Sequence, residues 1–120
     1  MKAIAYQNSL PIAHADSLQD IELPTPVATG RDLLVEIKAV SANPVDAKVR
    51  QGVAPGAGEW KVLGWDAAGV VVALGPEVSG FKVGDRVWYA GSLTRAGSNS
   101  EFHLVDERIV GKMPASLDFA

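Results

Sequence analysis

Apolar and polar positions alternate along this chain in short stretches, broken every few residues by Gly, Pro, Asn or Asp, which is the rhythm of a small all-β protein. Residues 2–6 (Lys-Ala-Ile-Ala-Tyr) and 20–23 (Asp-Ile-Glu-Leu) read as first strands. Pro24-Thr25-Pro26, followed by Thr29-Gly30-Arg31-Asp32, reads as a turn-rich link without helical signal. From Leu33 to Val40 the alternation is clearest: Leu33, Val35, Ile37 and Ala39 share one face, Glu36 and Lys38 the other. Ala67 to Leu74 is almost continuously small and β-branched, the pattern of a strand buried on both faces. Arg86-Val87-Trp88-Tyr89 and Glu101-Phe102-His103-Leu104-Val105 give two more strands, and Arg108-Ile109-Val110 with Lys112-Met113-Pro114 the closing edges. The prediction is a mainly β fold, a barrel or sandwich.

Two places interrupt the β pattern. In Asn43-Pro44-Val45-Asp46-Ala47-Lys48-Val49-Arg50-Gln51-Gly52, Asn is a good cap, Pro fits the first helical position and Gly closes the far end, so one helix of about two turns is expected. Ser116 followed by Leu117-Asp118-Phe119-Ala120 has the form of a second helix start. A single turn does not hold by itself, so the expectation is of a chain cut short of the segment that would continue it.

Size and composition narrow the class. With 120 residues the chain is one domain, and 48% apolar against 21% charged residues is ordinary globular usage. The formal charge is −3 and the 11 basic residues are scattered, which argues against a nucleic-acid surface, where clustered Lys and Arg must displace counterions. No apolar run approaches a membrane span, and Met1-Lys2-Ala3-Ile4 opens directly into strand-like sequence without a signal peptide, so a cytoplasmic protein without membrane partners is expected. Cysteine is absent, which removes disulfides, thiolate nucleophiles and thiolate metal ligands together. His14 and His103 are the only imidazoles and read as surface or strand residues without a catalytic partner. Gly56-Ala57-Gly58-Glu59-Trp60-Lys61 lacks the third glycine of a dinucleotide fingerprint and follows a loop, so it is not a phosphate cradle.

Three stretches, taken in order, carry a family resemblance: Asn43-Pro44-Val45-Asp46 with Arg50 and Gly52; Leu63-Gly64-Trp65-Asp66-Ala67-Ala68-Gly69-Val70-Val71; and Gly75 through Phe81 to Val83-Gly84-Asp85-Arg86-Val87. Together they resemble the N-terminal GroES-like domain of medium-chain dehydrogenase/reductases, in the zinc-type alcohol dehydrogenase-like and quinone oxidoreductase subgroup. The resemblance implies a partly open β-barrel with one or two short helices over residues 1–120, forming the substrate-side domain ahead of a Rossmann domain. It also implies hydride transfer from NADPH, bound mainly by that second domain, to a quinone, enone or related carbonyl compound, in a protein that forms a homodimer.

Zinc-dependent members carry Cys where Asn43 stands and His-Glu where Trp65-Asp66 stand, so the resemblance implies a site without catalytic zinc. An oxyanion must then be met by hydrogen-bond donors or a cation, for which Asn43 and Lys48 are the candidate catalytic residues. Asn43 either reaches toward nicotinamide and substrate or caps the helix. Lys48 replaces a Tyr of the quinone reductases, which leaves the substrate class open. Asp46 either orients groups in the cleft or serves the helix dipole. Trp65 is either a substrate wall or core, and Asp66 completes the candidate substrate-binding set, with Arg50 as its expected ion-pair partner. Gly64 and Gly69 are read as close backbone approaches at the cleft. Two alternatives stand beside this reading: a zinc-dependent alcohol dehydrogenase, and a stand-alone GroES-like interaction module.

Overall fold

The computed structural model describes all 120 residues. In chain order the elements are β1 (Lys2–Tyr6), β2 (Gln19–Glu22), β3 (Asp32–Ser41), α1 (Pro44–Gly52), β4 (Lys61–Val62), β5 (Asp66–Leu74), β6 (Arg86–Ala90), β7 (Phe102–Asp106), a 3-10 turn (Glu107–Ile109) and β8 (Val110–Lys112). They form a three-stranded sheet ordered β2-β1-β4 and a five-stranded sheet ordered β7-β3-β5-β6-β8, every pairing antiparallel. The result is the partly open barrel of the GroES-like fold, with one α-helix.

Long β3 sits between β7 and β5 and organises the larger sheet. Its inward residues Leu33 and Val35 join Ala67, Val71, Val87, Tyr89 and Val105 in the main core, with Phe81 and Val110 packed around it. Each fully buried Val or Leu contributes about 1.5–3 kcal/mol relative to exposure. Strict alternation breaks in β3, where register shifts at Leu34/Val35 and at Ile37/Ala39 bend the strand and Leu34 is buried beside Leu33 and Val35. The expectation of a β5 buried on both faces is corrected. Ala67, Gly69 and Val71 are buried while Ala68, Val70 and Val72 are only half so, because no second layer covers the outer face of the sheet.

The two sheets meet through residues 97–101. Ile4 N–H donates to Asn99 O (2.9 Å), Glu101 N–H to Lys2 O (3.0 Å) and Ile37 N–H to Glu101 O (2.9 Å), so this one stretch serves β1 and β3 together. A second crossing ties Gly97, Ser98 and Asn99 N–H to Val62, Gly64 and Leu63 O at 2.9, 2.6 and 2.9 Å. Gly64 takes φ +93°, a left-handed conformation that disfavours side chains, and any Cβ there would strike the Asn99 amide.

The helix expected at Ser116 does not form. Ala115 and Ser116 make a turn, and Leu117–Ala120 run without regular structure. Arg86 holds this end, its Nη2 donating to Leu117 O (2.5 Å) and its guanidinium lying 4.6 Å from the Phe119 ring centre. No helix is long and apolar enough to cross a membrane.

Candidate functional site

The site is built where β3 ends, α1 begins and β5 starts. Asn43 keeps extended backbone (φ −131°, ψ 159°), which turns the chain out of β3, and Pro44 takes the first helical position, where its missing N–H costs nothing. Asn43 N–H donates to Asp46 Oδ2 (2.8 Å), so Asp46 closes a capping box at the positive end of the helix dipole. Across the gap, Asn43 Nδ2 donates to Asp66 Oδ2 (2.7 Å) at the start of β5 and to Ser41 O (3.2 Å) at the end of β3. A carboxylate only accepts, so the Asn43 amide must turn its nitrogen to Asp66, and both of its hydrogens are committed.

Asn43, Asp46 and Asp66 are thus one hydrogen-bonded cluster. Strand geometry sends Trp65 the opposite way from Asp66. Only 3% exposed, its indole packs with Tyr6 and Leu63 under Val45 and Val49 of α1. Its side chain is the base on which the helix rests. Lys48 lies on the exposed side of α1 and makes no hydrogen bond or ion pair with the cluster.

The expected Asp66–Arg50 ion pair is absent, because Asp66 is taken by Asn43. Arg50 is instead buried, and its Nη1 donates to Leu10 O (2.6 Å), tying the 7–18 segment to the end of the helix. Tyr6 supports the same end, its hydroxyl donating to Val49 O (3.2 Å) or Val53 O (2.5 Å). Burial raises the Tyr6 pKa, against the opposing pull of the Arg50 charge.

Asp66 and Ser41 open onto a groove of about 530 Å³, walled by Val40, Ala68, Trp88 and Phe119. It has an apolar body with a single carboxylate at one end. Two polar atoms of the neighbouring residues are buried without a partner, Asp46 Oδ1 in the first turn of α1 and Trp65 Nε1 beneath the helix. No group of three or more His, Cys, Asp or Glu stands together in this chain, and the cluster is an amide held between two carboxylates.

One feature of this region is missed by sequence reasoning. Tyr89 and His103 are buried partners, with Tyr89 Oη 2.7 Å from His103 Nδ1. The available signal was phase: Val87 and Tyr89 in β6, and His103 and Val105 in β7, alternate inward together. His14, by contrast, is exposed, as expected.

The fold and these motifs find matches among known proteins. Residues 29–115 match the alcohol dehydrogenase GroES-like domain family. The chain belongs to that family. A zinc-type alcohol dehydrogenase-like protein of Staphylococcus epidermidis is 38% identical over 117 residues, 98% of this chain and 34% of the relative. A Rhizobium etli protein, provisionally described as a zinc-dependent alcohol dehydrogenase, superposes with TM-score 0.96 at 58% identity, over 100% of this chain and 35% of that one. Escherichia coli quinone oxidoreductase, solved with NADPH, superposes with TM-score 0.83 at 30% identity, over 99% of this chain and 35% of that one. This GroES-like domain is therefore a member of the medium-chain dehydrogenase/reductases, spanning about a third of the relatives' length.

Proposed function

We propose that this GroES-like domain is the substrate-side part of an NAD(P)H-dependent oxidoreductase that passes hydride to a quinone, enone or related carbonyl compound without catalytic zinc. The observation that carries the reading is the Asn43–Asp66 hydrogen bond, an amide and a carboxylate occupying the positions where zinc-dependent members place thiolate and His-Glu. Such a pair orients; it does not ligate a soft metal. The names of the relatives, an NADPH-bound quinone oxidoreductase among them, support the reaction class.

When hydride reaches carbon, negative charge develops on the substrate oxygen and needs a donor. Asn43 supplies one by exchanging Ser41 O for that oxygen while Asp66 keeps its orientation. Lys48, with its ammonium unpaired, supplies a cation from the neighbouring turn. Asp46 and Asp66 hold the polar end of the substrate, and Trp65 acts from below as the packed floor of the site. NADPH, when bound, supplies the hydride. This chain offers no phosphate cradle, since Gly56 and Gly58 lie in a bend outside any strand-to-helix turn, so the cofactor is held chiefly by a Rossmann partner. The full-length protein is proposed as a cytoplasmic homodimer.

The test uses the full-length protein carrying this chain. NADPH absorbance is followed with a quinone, an enone and a ketone, with and without a chelator, alongside metal analysis. Turnover of quinone or enone that survives chelation is expected. Stoichiometric zinc, with activity lost on chelation and confined to the alcohol–ketone couple, would establish the zinc-dependent dehydrogenase instead.

A further inference from the structure

Tyr89 and His103 stand on strands separated by β3 and β5 in the sheet, yet the curl of the barrel brings their rings into a stack, 5.6 Å between centroids and 18° between planes. His103 Nε2 lies 2.8 Å from Ala96 O, and a carbonyl only accepts, so Nε2 carries the hydrogen. Nδ1 is then the bare acceptor, and Tyr89 Oη donates to it. The neutral Nε2–H tautomer is fixed by its two partners.

Those partners bracket a loop. Ala96 belongs to the 91–99 segment, which is fastened to residues 62–65 at both ends: Gly91 N–H to Trp65 O (2.7 Å), then Gly97, Ser98 and Asn99 to Val62, Gly64 and Leu63. The space beside Gly91 is closed by the His103 ring and Trp65. Within the loop, Arg95 forks onto Asp32 at 2.8 and 2.7 Å. The groups facing the imidazole are therefore Tyr89 from β6, Arg95 from the loop, Asp32 from β3 and the Met1 ammonium, which shares with His103 a cavity of about 160 Å³.

We propose that neutral His103 is a latch on the 91–99 loop, and that a proton on Nδ1 loosens the loop from the segment carrying Trp65 and Asp66. With Nδ1 protonated, the imidazole and the Tyr89 hydroxyl both present hydrogens. Tyr89 can accept only by turning its own hydrogen away, into a buried environment without another acceptor. One buried hydrogen bond is lost whichever group yields, and the added charge stands beside Arg95. The loop is the part that gives, since its tip is exposed at Leu93 and Thr94 while both strands are core. Burial lowers the His103 pKa, outweighing the Ala96 hydrogen bond and the Asp32 charge that raise it, with Arg95 adding to the fall, so the latch is shut at neutral pH and opens toward acid.

Hydrogen exchange of the full-length protein, read by mass spectrometry from pH 7.5 downward through the Nδ1 titration and corrected for intrinsic rates, tests this. Protection of peptides covering 91–99 is expected to fall about tenfold across that titration, the worth of one net hydrogen bond, with β3 and β5 unchanged. In His103→Gln the pH difference should vanish. Imidazole nitrogen shifts of the wild-type protein provide a second measurement that does not depend on the variant folding: Nε2 should be protonated at neutral pH, and loop amides should change with the Nδ1 titration. Loop protection indifferent to pH, a pH response that persists in His103→Gln, equal loss across β3 and β5, or a neutral Nδ1–H tautomer would each overturn the latch.

Discussion

Trp65 gives the sharpest contrast between a pocket wall and a structural floor. Truncating it to Ala removes the indole between Tyr6, Leu63, Val45 and Val49, and at 3% exposure the surroundings have no route to refill the space except by moving α1. Large-to-small changes of an aromatic core residue cost about 3–5 kcal/mol, which is the expected loss. Trp65→Phe behaves differently, because two terms oppose. The smaller ring forfeits packing worth roughly 1–2 kcal/mol by area and cavity. Yet Nε1 is buried without a hydrogen-bond partner, and deleting it relieves an unmet donor worth about 1–3 kcal/mol. Trp65→Phe should therefore fall within about 1 kcal/mol of wild type. Urea denaturation monitored by far-UV circular dichroism measures both. A cost near 4 kcal/mol for Phe would mean that the indole N–H is satisfied, and a cost below 1 kcal/mol for Ala would mean that Trp65 is not supporting the helix.

Other outcomes are equally open to measurement. Asn43→Ala should destabilise by about 1–2 kcal/mol, since it leaves Asp66 without its donor and frees the Ser41 carbonyl, while the backbone bond from residue 43 to Asp46 survives; thermal unfolding reads it. Because the folded His103 pKa lies below its ordinary value near 6.5, the unfolded chain takes up the proton first as pH falls, so this contribution to stability is complete above about pH 6.5 and is lost as the pH drops through the folded pKa; a series of denaturation curves between pH 8 and 5, flattened in His103→Gln, checks the sign. Asp32→Asn breaks the Arg95 fork, and with Arg95 37% exposed the cost should stay near or below about 1 kcal/mol by urea titration. Gly97→Ala places a Cβ against the Leu63 carbonyl, which is backbone and cannot swing aside, so a loss of about 1–3 kcal/mol and faster exchange at Ser98 are expected.

Much of this fold is legible in the chain because each signal is local. Asn43-Pro44 announces the helix, and observed α1 begins at Pro44 as read, but Gly52 is its last helical residue and Val53, in extended backbone, takes the closing position given to Gly52. The strands at 2–6 and 86–89 declare themselves by alternation and β-branched content, and they are found at Lys2–Tyr6 and Arg86–Ala90. What escapes depends on distance. The two-residue strand β4 exists only because β1 offers Ala5 and Tyr6 as partners, and nothing within Lys61–Val62 reports that. Opposite charge in the motif pairs Asp66 with Arg50, but three-dimensional geometry gives its carboxylate to Asn43, while helix position gives Arg50 to Leu10 O. The Tyr89–His103 pair joins strands that have two others between them in the sheet, information that periodicity does not hold. The helix read at Ser116 had capping chemistry without a body, and its residues follow Arg86 instead.

The stitching of Lys2 to Glu101 and of Ile4 to Asn99 sets an order of events in synthesis. As the chain leaves the ribosome, β1 is made well ahead of the groups that satisfy Lys2 and Ile4 on one of its flanks, which follow almost a hundred residues later. Closing so long a loop costs entropy before any contact rewards it, so the Lys2–Ile4 side of β1 is completed only when distant chain arrives. Until then β2 covers one flank of β1 and the other stays open over those residues, a stretch of strand edge that the late-made segment closes.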